Sequence, residues 1–198
     1  MYKLLAITNR RLCKEDFLNR VEKIAATKIS ALLLREKDLS PAAYEKLARQ
    51  VLSLCQRYNT LCILHTYEDI GQRLQWPHIH MPLPLLRKRS VDKHFWKTLG
   101  VSVHSVEEAE EAVVLGATYL TAGHIFTTAC KQNLPPRGTN FLRQICQRTT
   151  IPVYALGGIT PQTIENLRGL PIEGVAIMSG LMDCKDTARY VNTLLSSK

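Results

Sequence analysis

The chain has 198 residues, of which 45% are hydrophobic and 22% charged, and its formal net charge at pH 7 is +9. This length and composition suit one globular domain with a hydrophobic core, which we place over residues 1–198. The excess of positive charge favours an anionic partner, either a nucleic acid or a phosphorylated metabolite.

Cysteine usage and apolar segments indicate the compartment. Six cysteines are scattered along the chain, with no C-x-x-C pair and no spacing typical of metal ligands. This pattern predicts free thiols in a reducing environment. The apolar run near residue 1 is too short for a signal peptide, and no run has the length of a membrane span. The sequence therefore predicts a cytoplasmic protein that does not enter a membrane.

Eight short apolar runs recur along the chain, each with the length of a β-strand. They cover residues 4–7, 31–34, 61–64, 78–81, 100–103, 119–122, 153–156 and 174–177. Most of them end abruptly in polar residues or glycine. Near-continuous apolar strands are typical of a parallel sheet that is covered on both faces.

Helical patterns lie between these runs. Predicted helices cover residues 14–27, a segment beginning at Ser40–Pro41, residues 105–115, residues 137–148, a segment beginning at Thr160–Pro161, and residues 185–195. Ser40 is a favourable cap and Pro41 suits the first helical position. Ser105 and Glu108 match a capping box.

Alternating strands and helices with eight strands predict a compact, single-domain (β/α)8 TIM barrel, one of the α/β folds. The length lies at the lower limit of that fold. The fourth unit leaves little room for a helix, since Pro82, Pro84 and the basic run 87–89 follow its strand. A doubly wound open sheet is the structural alternative.

Glycine-containing turns follow the last two predicted strands, at residues 157–161 and 178–180. In a TIM barrel the C-terminal strand ends converge on one mouth, where phosphate sites often follow strands seven and eight. Glycines let the backbone approach a ligand, and N–H groups at a helix start favour an anion. The predicted phosphate-binding residues are Gly157, Gly158, Met178, Ser179 and Gly180.

A basic segment, Arg35-Glu36-Lys37, follows strand two. Strand alternation should direct Arg35 and Lys37 the same way, where two cations would suit a second anionic group of a ligand. A solvated charge run explains these residues equally well. Arg35 and Lys37 are therefore candidates for substrate binding, and the residues alone do not decide between the two explanations.

A histidine directly follows strand six, in the segment 123–131. Gly123 lets the backbone turn, and His124 then lies where an imidazole can transfer a proton near neutral pH. Thr128, Cys130 and Lys131 lie in the same loop, and Thr128 and Lys131 are candidates for substrate binding. The alternative is a histidine that caps the strand or hydrogen-bonds its own loop.

Other polar residues near the expected mouth add to this set. His65 ends strand three and Ser102 lies on strand five, so we include both as candidates for substrate contact. The histidines show no metal-like pairing with a carboxylate, so we predict no metal site. The basic run 87–89 lacks the pattern of a nucleic-acid reader.

Several motifs together resemble the thiamine phosphate synthase/TenI superfamily, in order along nearly the whole chain. They lie at residues 6–8, 34–37, 101–109, 116–120, 123–126, 155–159 and 174–180. The superfamily fold is a (β/α)8 barrel. Within it, His124 stands where synthases have proline, and Cys130 before Lys131 departs from their T-x-T-K segment. Both features resemble the TenI branch of thiazole tautomerases.

This resemblance implies a cytoplasmic isomerase of thiamine biosynthesis that aromatises a carboxythiazole phosphate by a metal-independent proton shift. It implies His124 as the catalytic residue, no cofactor, and a small phosphorylated thiazole as substrate. Two metal-binding aspartates of the synthases are replaced, one by Thr66 and one near Leu85. On this hypothesis the protein makes little thiamine phosphate and needs no Mg²⁺.

Two alternatives to the tautomerase remain. One is the synthase itself, which joins a pyrimidine pyrophosphate to a thiazole phosphate. The other is a non-catalytic regulatory or ligand-sensing barrel. In each case we expect no nucleic-acid or membrane partner, and a homodimer is compatible with the sequence.

Overall fold

Eight parallel strands form a closed barrel in sequence order, in a computed structural model that describes residues 2–89, 92, 94–128, 131 and 134–196. The strands are β1 Lys3–Ile7, β2 Ala31–Leu34, β3 Leu61–His65, β4 His78–Pro82, β5 Thr98–Val103, β6 Tyr119–Gly123, β7 Val153–Leu156 and β8 Gly174–Ile177. The barrel closes where Leu4 of β1 lies opposite Val175 of β8. The TIM-barrel prediction is therefore confirmed, and the open doubly wound sheet is excluded.

Helices surround the barrel. They are α1 Phe17–Ala25, α2 Pro41–Arg57, α3 Glu68–Arg73, α4 Leu83–Leu86, α5 Val106–Val114, α6 Gly138–Arg148, α7 Ser179–Asp183 and α8 Thr187–Ser196. The predicted caps are confirmed, since Ser40 Oγ accepts from the Ala43 amide at 3.3 Å and Ser105 Oγ from the Glu108 amide at 3.1 Å. The fourth unit keeps only one helical turn, as Pro82 and Pro84 predicted.

The helix predicted from Thr160–Pro161 is wrong. The chain instead forms a turn and then a short 3₁₀ helix, Ile164–Leu167. Thr163 Oγ1 donates to the Gly158 carbonyl at 2.8 Å and accepts from the Thr160 amide at 2.9 Å. Threonine hydroxyls that bond nearby backbone groups stabilise turns at the expense of the helical hydrogen-bond ladder.

The barrel interior holds a small apolar cluster of its own. It contains Leu5, Ile7, Ala31, Leu33, Ile63, Tyr119 and Ala176. Gly100 makes room for it, because a Cβ there would lie 2.1 Å from the Tyr119 ring and 2.4 Å from His80 Nδ1. The interior is thus filled below the mouth. Among the described residues, no helix has the length and apolar character needed to cross a membrane.

Candidate active site

A cavity of 620 Å³ opens at the C-terminal ends of the strands. All twelve residues predicted for the site line it: Arg35, Lys37, His65, Ser102, His124, Thr128, Lys131, Gly157, Gly158, Met178, Ser179 and Gly180. The structure therefore brings these residues together around one volume. Their individual roles stay predictions. Cys130, which the sequence placed in the same loop, lies outside the described residues.

The end of β2 presents two cations to the cavity, as strand alternation predicted for Arg35 and Lys37. Glu36, between them, is only 2% exposed and does not line the cavity. Its carboxylate accepts from Thr8 Oγ1 at 2.7 Å and from the Arg10 amide at 3.1 Å, while Thr8 Oγ1 accepts from the Arg35 amide at 2.9 Å. This network fixes the backbone that carries both cations.

The buried role of Glu36 was not predicted from the sequence, in which Glu36 was interpreted only as one member of a charged run. The signal was present in the same alternation that placed Arg35 and Lys37. A residue between two side chains that face the mouth must face the opposite way. A buried carboxylate that faces away from the mouth needs a positively charged partner, and Arg10 supplies it with an Nη1–Oε2 distance of 3.2 Å.

Lys37 lies in a positive environment. Partial burial lowers the pKa of its ammonium group, and the charges of Arg35 and Lys131 lower it further. The three side chains form a group that we call the cation cluster. Their mutual repulsion is unfavourable and is relieved when an anion binds between them.

The histidine of β4 that faces the barrel interior near the mouth is His80. Its Nδ1 lies 2.9 Å from Tyr119 Oη and its Nε2 lies 2.7 Å from Ser102 Oγ, which also accepts from Thr121 Oγ1 at 3.1 Å. Burial, followed by the charges of Arg35 and Lys37, lowers the pKa of His80 to about 3. The ring is therefore neutral at pH 7, and it supports Ser102 rather than contributing charge.

His65 lies beside His80, with ring centroids 6.0 Å apart and nearly parallel rings. Its Nδ1 is 2.6 Å from Thr66 Oγ1. Burial, the neighbouring His80 and the charges of Arg35 and Lys37 hold the pKa of His65 well below its ordinary value. His65 is also neutral at pH 7, so neither histidine adds to the positive charge of the cation cluster.

His124 is buried and holds its own loop. Its Nε2–H donates to the Leu134 carbonyl at 3.2 Å, and its own carbonyl accepts from the Arg137 amide at 3.0 Å. His104 donates from Nδ1 to the Gly123 carbonyl at 2.8 Å, directly before His124. His124 therefore faces the cavity and also closes the loop that carries Thr128 and Lys131.

The glycine turn after β7 packs against the loop after β6. Gly157 and Gly158 have positive φ angles of 97° and 67°. A Cβ on Gly158 would lie 2.5 Å from the Thr127 carbonyl oxygen and 2.6 Å from that of Phe126. Glycine is required here by conformation and by close backbone contact. The turn thus presents backbone, not side chains, to the cavity.

Replacing Gly158 with valine is therefore expected to weaken binding of inorganic phosphate by at least about tenfold, as measured by calorimetry. Gly169→Val is a matched control, because Gly169 also has a positive φ of 76° but a Cβ there meets nothing within 4 Å. The control should lose roughly 1–2 kcal/mol of stability and keep its phosphate affinity. Equal affinities in the two variants would place the phosphate site elsewhere.

The cavity does not fit Mg²⁺. No carboxylate lies among the described residues that line it, and the described parts of the chain contain no group of three His, Cys, Asp or Glu residues that could hold a metal ion. The Thr66 hydroxyl forms a hydrogen bond with His65 Nδ1, and Leu85, in α4, has no side-chain oxygen that could bind a metal ion. Mg²⁺ requires oxygen ligands and usually one or two carboxylates.

Comparisons with known proteins identify the family. The family model described as thiamine monophosphate synthase matches residues 4–181. A thiamine-phosphate synthase of Fusobacterium nucleatum is 30% identical and covers 98% of this chain and 96% of its own. Thiamine-phosphate synthase 2 of Streptococcus pneumoniae is 35% identical over 93% of this chain and 89% of its own. The solved thiamine phosphate pyrophosphorylase of Pyrococcus furiosus has the same fold, with a TM-score of 0.83, 24% identity, and coverage of 98% of this chain and 94% of its own.

These relatives overturn the tautomerase hypothesis. They match nearly the whole chain and carry the name of the synthase, which was the alternative. The tautomerase prediction is wrong, because it relied on a few positions after strand ends, namely His124, Cys130, Thr66 and the region of Leu85. Among related proteins, single loop residues vary more readily than the strands and helices that the loops connect. The chain belongs to the thiamine monophosphate synthase family.

Proposed function

We propose that this protein is a transferase that forms thiamine phosphate by joining a pyrimidine diphosphate to a thiazole phosphate. The names of its relatives support this activity. The single observation that carries it in the structure is one cavity that is lined both by the cation cluster and by the glycine turns. The cation cluster comes from β2 and the loop after β6, and the glycine turns come from β7 and β8.

The substrates need two kinds of surface, and the cavity supplies both. Phosphate groups suit the cation cluster and the glycine turns. Apolar residues of the barrel interior, namely Ile7, Leu33 and Leu156, also line the cavity. Heterocyclic rings suit such apolar walls, and 620 Å³ is a typical volume for a small-molecule site.

The proposed reaction breaks the C–O bond between the pyrimidine methylene carbon and the diphosphate. The bonding electron pair leaves with pyrophosphate, and the thiazole nitrogen forms the new C–N bond. Negative charge grows on the leaving group, so preorganised cations at Arg35, Lys37 and Lys131 stabilise the transition state. The glycine turns hold the thiazole phosphate and thereby orient its nitrogen toward the methylene carbon.

Product formation tests this proposal. Purified protein is given both substrates, and thiamine phosphate is detected by mass spectrometry, with each substrate alone as a control. We expect the product only when both substrates are present. A folded protein that binds both substrates but forms no thiamine phosphate would contradict the proposal.

For this reaction we propose His124 as a positioning residue for the loop that carries Lys131. His124→Gln keeps a donor for the Leu134 carbonyl, whereas His124→Phe removes it. We expect the glutamine variant to stay near wild type and the phenylalanine variant to raise KM for the diphosphate substrate roughly fivefold, as the loss of one hydrogen bond predicts. A proton-transfer role would instead lower kcat by about 10²–10⁴-fold in both variants. Steady-state kinetics separate the two roles.

A further inference from the structure

The acidic residues near the mouth are held by arginines rather than directed into the cavity. After β2, Glu36 and Asp38 both bind Arg10, and the Asp38 contacts are bidentate at 2.5 and 2.7 Å. Arg11 also reaches Asp38, at 2.8 Å. Donation from Arg10 is the main cause that lowers the pKa of Asp38 to about 2. A carboxylate engaged in this way has few lone pairs left for a metal ion.

The same arrangement follows β3. Glu68 pairs with Arg89, and Asp69 pairs with Arg73 at 2.9 Å. None of these four acidic residues lines the cavity. The loops after β2 and β3 therefore present arginine-paired carboxylates outside the cavity.

We infer that this chain binds the diphosphate of its substrate without a divalent cation, and that Arg35, Lys37 and Lys131 supply the compensating charge. The inference rests on the proposed function for the identity of the diphosphate ligand. It differs from the usual chemistry of diphosphate departure, in which Mg²⁺ neutralises the leaving group. Here the protein provides cations in a cavity whose described lining contains no carboxylate.

The electrostatics of the cluster support this assignment. Arg35 and Lys131 each act on Lys37 strongly enough to lower its pKa, so the three charges lie in one field. All three side chains line the same cavity. A multivalent anion between the three groups replaces mutual repulsion with attraction. A Mg²⁺-bound diphosphate carries less negative charge and gains less from the same cluster.

Calorimetry with inorganic pyrophosphate tests the inference on the unmodified protein. Titration in EDTA is compared with titration in excess Mg²⁺. We expect affinity in EDTA to equal or exceed affinity in Mg²⁺. Binding that disappears in EDTA and returns with Mg²⁺ would overturn the inference, whatever the variants show.

Two variants then test whether Lys37 and Lys131 supply the charge that compensates the diphosphate. Lys37→Met and Lys131→Met should each weaken pyrophosphate binding in EDTA by about tenfold, since each loses a charge-assisted contact. Lys97→Met makes the same charge change at an exposed residue before β5, at the opposite end of the barrel, and should bind like wild type. Circular dichroism confirms folding of each variant. Unchanged affinity in both folded cluster variants would also overturn the inference.

The outcomes separate this inference from the proposed function. If pyrophosphate binds without metal but no thiamine phosphate forms in either buffer, the inferred diphosphate site stands and the proposed transferase activity is contradicted. Thiamine phosphate formation in Mg²⁺, together with pyrophosphate binding that requires Mg²⁺, would retain the transferase and overturn only the inference.

Discussion

Replacing Glu36 with alanine is expected to lower the free energy of unfolding by about 2–4 kcal/mol, because donors to its buried carboxylate are left unsatisfied at about 1–3 kcal/mol each. The carboxylate is 2% exposed and accepts from the Thr8 hydroxyl, the Arg10 amide and the Arg10 guanidinium. The Thr8 hydroxyl and the Arg10 amide would lose their acceptor, while the Arg10 guanidinium would keep Asp38. The backbone before Lys37 would loosen as well, so affinity for pyrophosphate should fall with stability.

Urea unfolding measures this effect, and Asp38→Ala is its matched control. Asp38 binds the same Arg10, but from a partly exposed position. Surface ion pairs contribute at most about 1 kcal/mol, so the control should stay within that range. A Glu36→Ala variant that unfolds like Asp38→Ala would show that the Glu36 network does not hold the β2 loop.

Acidification is expected to destabilise the protein through His80. The folded pKa of His80 is about 3, against 6.5 for an unperturbed histidine. Between these values the unfolded chain binds a proton at His80 and the folded chain does not. Stability from this group is therefore complete above pH 6.5 and falls as the pH decreases toward 3. At about 1.4 kcal/mol for each pH unit, the full loss is about 4–5 kcal/mol.

A difference between variants isolates the contribution of His80 from that of other titrating groups. His80→Gln keeps a polar side chain for Tyr119 and Ser102 but does not titrate in this range. His94→Gln changes an exposed histidine and serves as control. The free energy of unfolding, measured from pH 7 to pH 3.5, should fall less steeply in His80→Gln than in wild type or His94→Gln. Parallel curves for all three proteins would contradict a neutral, buried His80.

Much of the fold was predictable because its signals are local. The eight strands follow from short apolar runs, and Ser40 and Ser105 mark helix starts by their capping chemistry. The mouth followed from topology, since parallel strands bring their C-terminal ends together. The helix predicted at Thr160 failed because hydrogen bonds of the Thr163 hydroxyl, which sequence patterns do not show, favoured a turn.

The chemistry of the site was less predictable. The orientation of Arg35 and Lys37 follows from the alternation of side chains along a β-strand. The pairing of Asp38 with Arg10, in contrast, depends on a contact between separate loops. The choice of activity failed for a different reason. His124 has a loop-closing contact with Leu134 that accounts for a histidine at this position without a proton-transfer step. A residue type that differs from a motif therefore does not by itself identify a reaction.

Simultaneous measurement of thiamine phosphate and pyrophosphate tests the transferase most directly. Purified protein receives the pyrimidine diphosphate and the thiazole phosphate, in EDTA and in Mg²⁺. Because the proposed C–N bond forms as the C–O bond to diphosphate breaks, the two products should appear in equal amounts and only when both substrates are present. Pyrophosphate release without thiamine phosphate, or no product in either buffer from folded protein, would contradict the assignment.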